Sequence, residues 1–385
     1  MKDAVIVSAV RSPMGRAGKG SYVTMRIDDL GALVVKEALK RVPQLDLNEI
    51  EDVLIGCAMP EGEQGMNVAR QISLLSGIPF SAAATTVNRF CASGLETINT
   101  AALRVMTGNG EVFVAGGVES MTHVPMGGFN PSLNEKLFQP GAPQAYISMG
   151  ITAENVAAKY KISREDQDKF SLASHQKAIR AHKEGKFKAE MIPVEIKTAD
   201  GKKIVLERDE NPREETTLEK LAQLKPAFKE GGTVTAGNSS PLTDGAAAVV
   251  VMSADRAKAL GIKPLARIRA MAVAGLDPAY MGMGPVPAVQ KVLKRAGMTL
   301  KDIDIIEINE AFAAQSLAVL RELNVDMEKV NPHGGAIALG HPLGCSGSRI
   351  MATLINDLTI YKKSIGLETM CVGGGQGAAT IIEIL

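Results

Sequence analysis

The chain repeats itself, and the repeat constrains its fold more than any single motif does. Residues 36–58, KEALKRVPQLDLNEIEDVLIGCA, resemble 290–311, QKVLKRAGMTLKDIDIIEINEA. Each stretch reads as a helix, a turn, a short acidic helix start and a buried strand, with Leu54 to Gly56 and Ile306 to Asn309 at the strand ends. Further on, NRFCASGLETINTAALRV (88–105) is echoed by HPLGCSGSRIMATLIND (341–357), through a Ser-Gly pair that opens a helix: Ser93-Gly94 and Ser346-Gly347. The strand VFVAGGVES (112–120) matches TMCVGGGQG (369–377), and DGAAAVVVM (244–252) matches QGAATIIEI (376–384).

The last two strands of the second copy are nearly contiguous, whereas in the first copy about 120 residues separate them, which reads as an insertion. Within it, residues 162–185 predict a helix with Ser163 as N-cap and Asp166 completing a capping box. A charged stretch (195–230) and the turn-rich TVTAGNSSPLTDG (233–245) follow. Strands alternate with helices in both copies, so an α/β layering with mainly parallel strands is expected, and ligands in such sheets bind beyond the carboxyl ends of strands.

A net charge of +1 gives no footprint for nucleic acid, and no apolar run reaches the length of a membrane span. MKDAVIVSAVRS enters a β-like run at once, without a signal or transit pattern. Cys57, Cys91, Cys345 and Cys371 form no CxxC and are too few for a disulfide framework, which points to a reducing cytoplasm. The five histidines and four cysteines show no metal-ligand spacing, and no GxxxxGK[ST] phosphate loop is present.

Cys91 sits where a β-branched run ends at Asn88 and a helix begins near Ala92. A thiol there meets the free N–H groups and positive end of the helix, which favours a thiolate of lowered pKa and offers donors to an oxyanion. A small buried core residue is the plainer reading of a Cys among Ala and Gly. His341, in NPHGGAIALGHPLGCSG, lies on a glycine-rich loop from which an imidazole can take a proton; His333 is its nearest rival. Cys371 precedes Gly373, Gly374 and Gly375 at a strand end, suited to proton transfer beside bare amides, or simply to a strand-and-hairpin. Asn309 and Glu310 lead from a strand into a helix, where capping competes with orienting a water or carbonyl. Cys57 and Cys345 are expected to carry no chemistry.

Together these segments resemble the thiolase family over essentially the whole chain. The resemblance rests on NRFCASGLET, GGVESM (116–121), TVTAGNSS (233–240), NEAFAAQ (309–315), GGAIALGHPLGCSG (334–347) and CVGGGQG (371–377), all in family order. It implies two similar βαβαβαββ halves in a layered α-β-α-β-α core with an inserted loop domain. The halves would be 1–118 plus 241–262 and 263–385, and the insertion 119–240 would bind coenzyme A. It further implies thiolysis of 3-ketoacyl-CoA in two stages, with Cys91 as nucleophile and Cys371 as the acid that protonates the departing enolate. His341 would activate Cys91 and donate to one oxyanion hole, completed by a water held on Asn309. The N–H groups of Cys91 and Gly373 would form the other hole. Arg213, Ser240 and Met149 would contact coenzyme A, which is a co-substrate, and Phe312 and Met281 would line the pantetheine and acyl region. No metal or further cofactor is implied.

Two departures stand out. Asn331, Pro332, His333, Gly334, Gly335 replace the frequent Asn-x-Asn-Gly-Gly, so His333 would add a pH-dependent contribution. Ser148 precedes Met149-Gly150 where biosynthetic acetoacetyl-CoA members often carry histidine, which leans towards the degradative group. A homodimer or homotetramer is implied, or a complex with a β-oxidation partner enzyme. An acetoacetyl-CoA thiolase, a decarboxylating ketoacyl synthase and a silent acyl-CoA-binding subunit are the competing readings. The intact set Cys91, Asn309, His341 and Cys371 argues against the last.

Overall fold

Most strands of the repeat, such as 112–118 and 246–252, are apolar or small on both sides, so they must be covered on both faces, and a layered fold follows. The computed structural model describes residues 2–385; Met1, the first residue of the expected N-terminal half, lies outside the described residues. The first half runs β1 (Ala4–Arg11), β2 (Gly15–Arg16), α1 (Ile27–Lys40), β3 (Asp52–Gly56), α2 (Val68–Leu75), β4 (Ala83–Val87), α3 (Ser93–Thr107) and β5 (Val112–Ser120). Then come α4 (Met149–Lys159), α5 (Arg164–Lys183), the hairpin of β6 (Val194–Lys197) and β7 (Lys203–Leu206), and α6 (Leu218–Ala222). β8 (Thr243–Ser253) returns to the first half and α7 (Ala254–Ala259) leads out of it. The second half comprises β9 (Ala266–Gly275), α8 (Pro285–Ala296), β10 (Ile305–Ile308), α9 (Ala313–Glu322), α10 (Ala336–Leu339), α11 (Leu343–Tyr361), β11 (Ile365–Val372) and β12 (Gln376–Ile384).

The strand order is β10-β11-β12-β9-β1-β8-β5-β3-β4, the same order in both halves when read outward from the β1–β9 junction. That junction is short: Val5 pairs with Arg267 and Ile6 with Ala266. Period-two alternation divides each strand between two cores. Val5 and Val7 of β1 pack with α1 and α2, while Ala4 and Ile6 face a central core built around α3 and α11. On the far side, α8 and α9 cover the second half's sheet. The layers are therefore α1/α2, sheet, α3/α11, sheet, α8/α9.

The expectation of mainly parallel strands is corrected. β3–β4, β3–β5 and β10–β11 are parallel, but β1–β8, β5–β8, β1–β9, β9–β12 and β11–β12 are antiparallel. The cause is plain at the end of the second half, where no helix crosses between the last two strands; in the first half the whole insertion, with α4, α5 and α6, stands between β5 and β8, which pair antiparallel all the same. β11 turns directly into β12 through Gly374 and Gly375, both at positive φ (78° and 81°), and a strand that turns back without a crossover pairs antiparallel. The counterpart of β4 in the second half shrinks to one bridge, Val330 beside Ile306.

The Ser-Gly pairs owe their place to the central layer. α11 is buried continuously from Leu343 to Leu358, as a helix covered all round must be. A Cβ on Gly94 would stand 2.8 Å from the Ser348 backbone nitrogen, and one on Gly347 would run into the Leu95 nitrogen. α3 and α11 thus touch backbone to backbone, which only glycine permits.

The insertion is fastened to β1 by charge. The buried Arg11 guanidinium meets Glu190 (2.5 Å) and Asp209 (2.7 Å), and Asp209 also meets His182 at 3.0 Å. α5 begins with the expected N-cap, Ser163 Oγ accepting from the Asp166 N–H at 3.1 Å, but without the reciprocal bond that would complete the capping box. Asp166 then pairs with Arg321 of α9 at 2.8 Å, so its carboxylate ties the insertion to the second half.

Candidate active site

The chemistry-bearing residues lie at the ends of β4, β10 and β11 and at the start of α11. Cys91 occupies a single 3-10 turn, Phe90–Ala92, between β4 and α3. The turn is strained: Phe90 has φ of +43°, a left-handed conformation disfavoured for an aromatic residue. Side chains hold it there. Asn88 Oδ1 accepts from the Phe90 N–H (2.8 Å), and Ser93 Oγ donates to the Phe90 carbonyl (2.7 Å) while accepting from the Arg89 N–H (2.9 Å).

This placement overturns the expected thiolate. Burial pushes the Cys91 pKa up to about 11, against the pull of the Gly373 N–H and its own N–H; the Glu119 charge adds to the rise. One turn of 3-10 helix does not outweigh desolvation. Cys91 is therefore a thiol that needs a base. The Gly373 amide reaches the sulfur from the β11–β12 hairpin, and Cys371 stands close enough for the charge of Cys91 to raise its own pKa, behind burial as the larger cause. Met149 Sδ, at the start of α4, lies 3.7 Å from the space above Gly373.

His341 forms the other side. Ser346 Oγ donates to the Pro342 carbonyl (2.9 Å) and sits 2.5 Å from His341 Nδ1, so it accepts the Nδ1 proton. That tautomer puts the basic lone pair on Nε2, where it accepts from Asn309 Nδ2 at 3.2 Å. Burial and the Arg349 cation push the His341 pKa down to about 3, so the ring is neutral. Leu343 shares a small apolar cluster with Cys91 and Ala58, which seats the histidine's loop against the Cys91 turn.

Asn309 and Glu310 do not cap the following helix; Phe312 occupies that position. Glu310 instead accepts from Ser174 (2.6 Å), Asn331 (2.8 Å) and the Ile337 N–H (3.2 Å), binding the 331–337 loop to α5. Asn331 continues the sheet with its side chain, bonding both the N–H (2.9 Å) and C=O (3.0 Å) of Ile308. His333 stands apart from the site. Its Nδ1 lies 2.5 Å from Asp357, its ring stacks on Tyr361 at 5.6 Å, and burial lowers its pKa to about 4.

The residues expected to contact coenzyme A fall into two groups. Ser240 donates its N–H to the Ala311 carbonyl (3.0 Å), which stitches the 235–240 loop to the start of α9 beside Phe312. Phe312 and Met281 share one core, against which Met149 packs. Arg213 lies on the insertion's exposed surface, where its N–H donates to His175 Nδ1 (3.3 Å) and its guanidinium feels the like charge of Arg16.

Sequence reading passed over Ser346, Asn88 and Glu119. Glu119 was visible only as an acid at the end of a strand otherwise made of small and apolar residues, which was the available signal. Cys57 and Cys345 are buried, with Cys345 packed on Met14 and Ala247.

Two family models match the chain: "Thiolase, N-terminal domain" over residues 4–255 and "Thiolase, C-terminal domain" over 262–384. A 3-ketoacyl-CoA thiolase of Bacillus subtilis is 51% identical, covering 100% of both chains, and one of Marinobacter nauticus is 53% identical over 99% of this chain and 98% of its own. Among solved structures, the Bacillus anthracis acetyl-CoA acetyltransferase superposes with a TM-score of 0.92 at 41% identity, covering 100% of this chain and 99% of its own. Human mitochondrial 3-ketoacyl-CoA thiolase superposes with a TM-score of 0.92 at 40% identity, with the same coverage. With both halves matched and relatives similar from end to end, the chain belongs to the thiolase family.

Proposed function

We propose that this enzyme cleaves 3-ketoacyl-CoA with coenzyme A, giving acetyl-CoA and a shortened acyl-CoA, through an acyl group carried on Cys91. The observation that carries the reading is the seating of the His341 loop, through Leu343, against the turn of the buried Cys91 thiol, with the histidine's tautomer fixed by Ser346. His341 takes the Cys91 proton as sulfur bonds to the keto carbon. The carbon–carbon bond breaks, and Cys371 gives its proton to the departing enolate of acetyl-CoA. In the second stage Cys371 recovers a proton from the incoming coenzyme A thiol, whose sulfur displaces Cys91; His341 then returns its proton to Cys91. The Cys91 and Gly373 N–H groups hold one oxyanion, and His341 with Asn309 holds the other.

The insertion 119–240 takes the coenzyme A moiety, through Arg213, Ser240 and Met149, with Met281 and Phe312 bordering the pantetheine and acyl region. The halves 1–118 plus 241–262 and 263–385 supply the catalytic groups. No described helix is long and apolar enough to cross a membrane, and four free cysteines suit a reducing cytoplasm. A homodimer or homotetramer is supported by the open edge of β4, beside which Met66 (93% exposed) and Phe80 (84% exposed) present apolar side chains. A β-oxidation partner enzyme would supply the 3-ketoacyl-CoA.

The test is coenzyme-A-dependent loss of 3-ketoacyl-CoA over a chain-length series. Turnover extending to longer chains is expected. Turnover of the four-carbon substrate alone would favour an acetoacetyl-CoA thiolase, and binding without turnover a silent subunit.

A further inference from the structure

Glu119, near the end of β5, is 1% exposed and takes part in none of the chemical steps above. Its two oxygens accept five hydrogen bonds, four from N–H groups and one, longer, from the Cys57 thiol to Oε1 (3.8 Å). Oε2 receives the N–H groups of Ala58 (2.8 Å) and Gly344 (2.7 Å). Oε1 receives the Met59 N–H (3.2 Å) and the Gln64 side-chain amide (3.0 Å). Burial pushes its pKa up, against the pull of these donors; a group facing four N–H donors has no place for a proton of its own, so the geometry is that of a carboxylate.

The residues it holds belong to opposite halves of the site. On one side the Ala58 carbonyl accepts from Asn88 Nδ2 (3.0 Å), and the same amide's Oδ1 restrains Phe90, immediately before Cys91. On the other side Gly344 lies three residues after His341, in the first turn of α11, which has no side-chain cap of its own. The close approach is built in: a Cβ at Gly344 would stand 2.6 Å from the Cys57 Cα and 2.8 Å from the carboxylate. Gln64 closes the cluster, donating also to the Met59 carbonyl (2.8 Å) while accepting from the Ser120 N–H.

We propose that Glu119 is a positioning residue for the reaction: one ionised carboxylate that fixes the nucleophile's turn and the base's loop in register. It reaches across the junction of the two halves, where no covalent connection sets the spacing of Cys91 and His341. Its charge also bears on Cys91, adding, behind burial, to the rise of the thiol's pKa. The titratable groups within its influence are the thiols of Cys57, Cys91 and Cys345.

The proposal rests on the thiolase reading, and the experiment separates the two. Glu119→Gln and Glu119→Asp are compared with wild type in steady-state thiolysis and in the pH dependence of iodoacetamide alkylation of Cys91. Alkylation also counts intact sites. Glu119→Gln places an amide N–H against two N–H donors. Its kcat per intact site should fall roughly 10- to 100-fold, the cost of a displaced catalytic group, with KM within about threefold. Its alkylation profile should move to lower pH, because the negative charge is gone. Glu119→Asp keeps the charge but withdraws it by one methylene, so kcat should fall while the alkylation profile stays put. Wild-type kcat per intact site in either variant, or an unmoved alkylation profile in Glu119→Gln, overturns the proposal. If Glu119→Gln does not fold, Gln64→Leu removes one donor and spares the carboxylate; a several-fold loss of kcat is expected, and an unchanged kcat overturns the proposal. A wild type that alkylates at Cys91 yet cleaves no ketoacyl-CoA refutes the activity instead, and the two alkylation profiles still judge Glu119.

Discussion

Alkylation of Cys91 as a function of pH distinguishes a waiting thiol from a standing thiolate. Burial moves this thiol from 9.0 to about 11, two pH units, or about 3 kcal/mol against ionisation. At pH 8 the thiolate fraction is then about one in a thousand, against about one in ten for the unperturbed thiol. His341, with a pKa near 3, cannot hold the proton in a resting ion pair; its transfer must accompany formation of the carbon–sulfur bond. In the substrate-free enzyme the iodoacetamide rate should therefore rise about tenfold per pH unit from pH 7 to 10, without a plateau. Stopped reactions analysed by mass spectrometry of the Cys91 peptide give the rate at each pH, with Cys91→Ser as blank. A plateau below pH 8 would refute the reasoning. It would mean that the amides of Gly373 and Cys91 outweigh desolvation.

Other perturbations reach different parts of the structure. Cys91→Ser should abolish the acyl-enzyme detected by mass spectrometry, while Cys345→Ser, buried against Met14 and Ala247, should leave it intact. Ser346→Ala leaves the His341 Nδ1 proton without its acceptor, a cost of about 1–3 kcal/mol, so kcat should fall roughly 10- to 100-fold with little change in thermal midpoint. Gly347→Ala drives a methyl into the Leu95 backbone and should abolish soluble expression. Gly297→Ala, in open space at φ +66°, should cost only about 1–2 kcal/mol and stay folded; equal yields for the two would contradict the backbone contact of α3 and α11.

The repeat made the layered fold legible because both copies keep the same apolar periodicity, and periodicity reports burial. Strand direction was not legible. Alternating helices and strands suggest parallel pairing; β12 reverses because no crossover helix precedes it, and β8 reverses after an insertion whose course the strand pattern does not encode. In the site, the residues proposed to bear chemistry on their own side chain stood out: Cys91, His341, Cys371 and Asn309. Those that act through another group did not. Glu119 and, through Ala58, Asn88 bond to backbone atoms distant in the chain, and such partners have no spacing rule; Ser346 bonds locally, to Pro342 and His341, in a pattern that also suits plain helix capping. The Cys91 pKa was misread because a helix start is visible in a sequence, while depth of burial is a property of the assembled layers.

The two Ser-Gly pairs show how one local device serves unlike chemistry. Ser93 donates to the Phe90 carbonyl, three residues back, and takes the Arg89 N–H, so its hydroxyl fixes a backbone turn with the nucleophile inside it. Ser346 donates to the Pro342 carbonyl, four residues back, and its free lone pair faces an imidazole instead of an amide. In both halves the hydroxyl spends its proton on the preceding turn and offers its oxygen to whatever donor lies before that turn. The donor differs: a backbone N–H in the first half, His341 Nδ1 in the second. A duplicated helix start can thus anchor a strained thiol on one side of the central layer and fix the tautomer of a base on the other. The adjoining glycines, by letting α3 and α11 touch, bring those two starts to the same end of the layer.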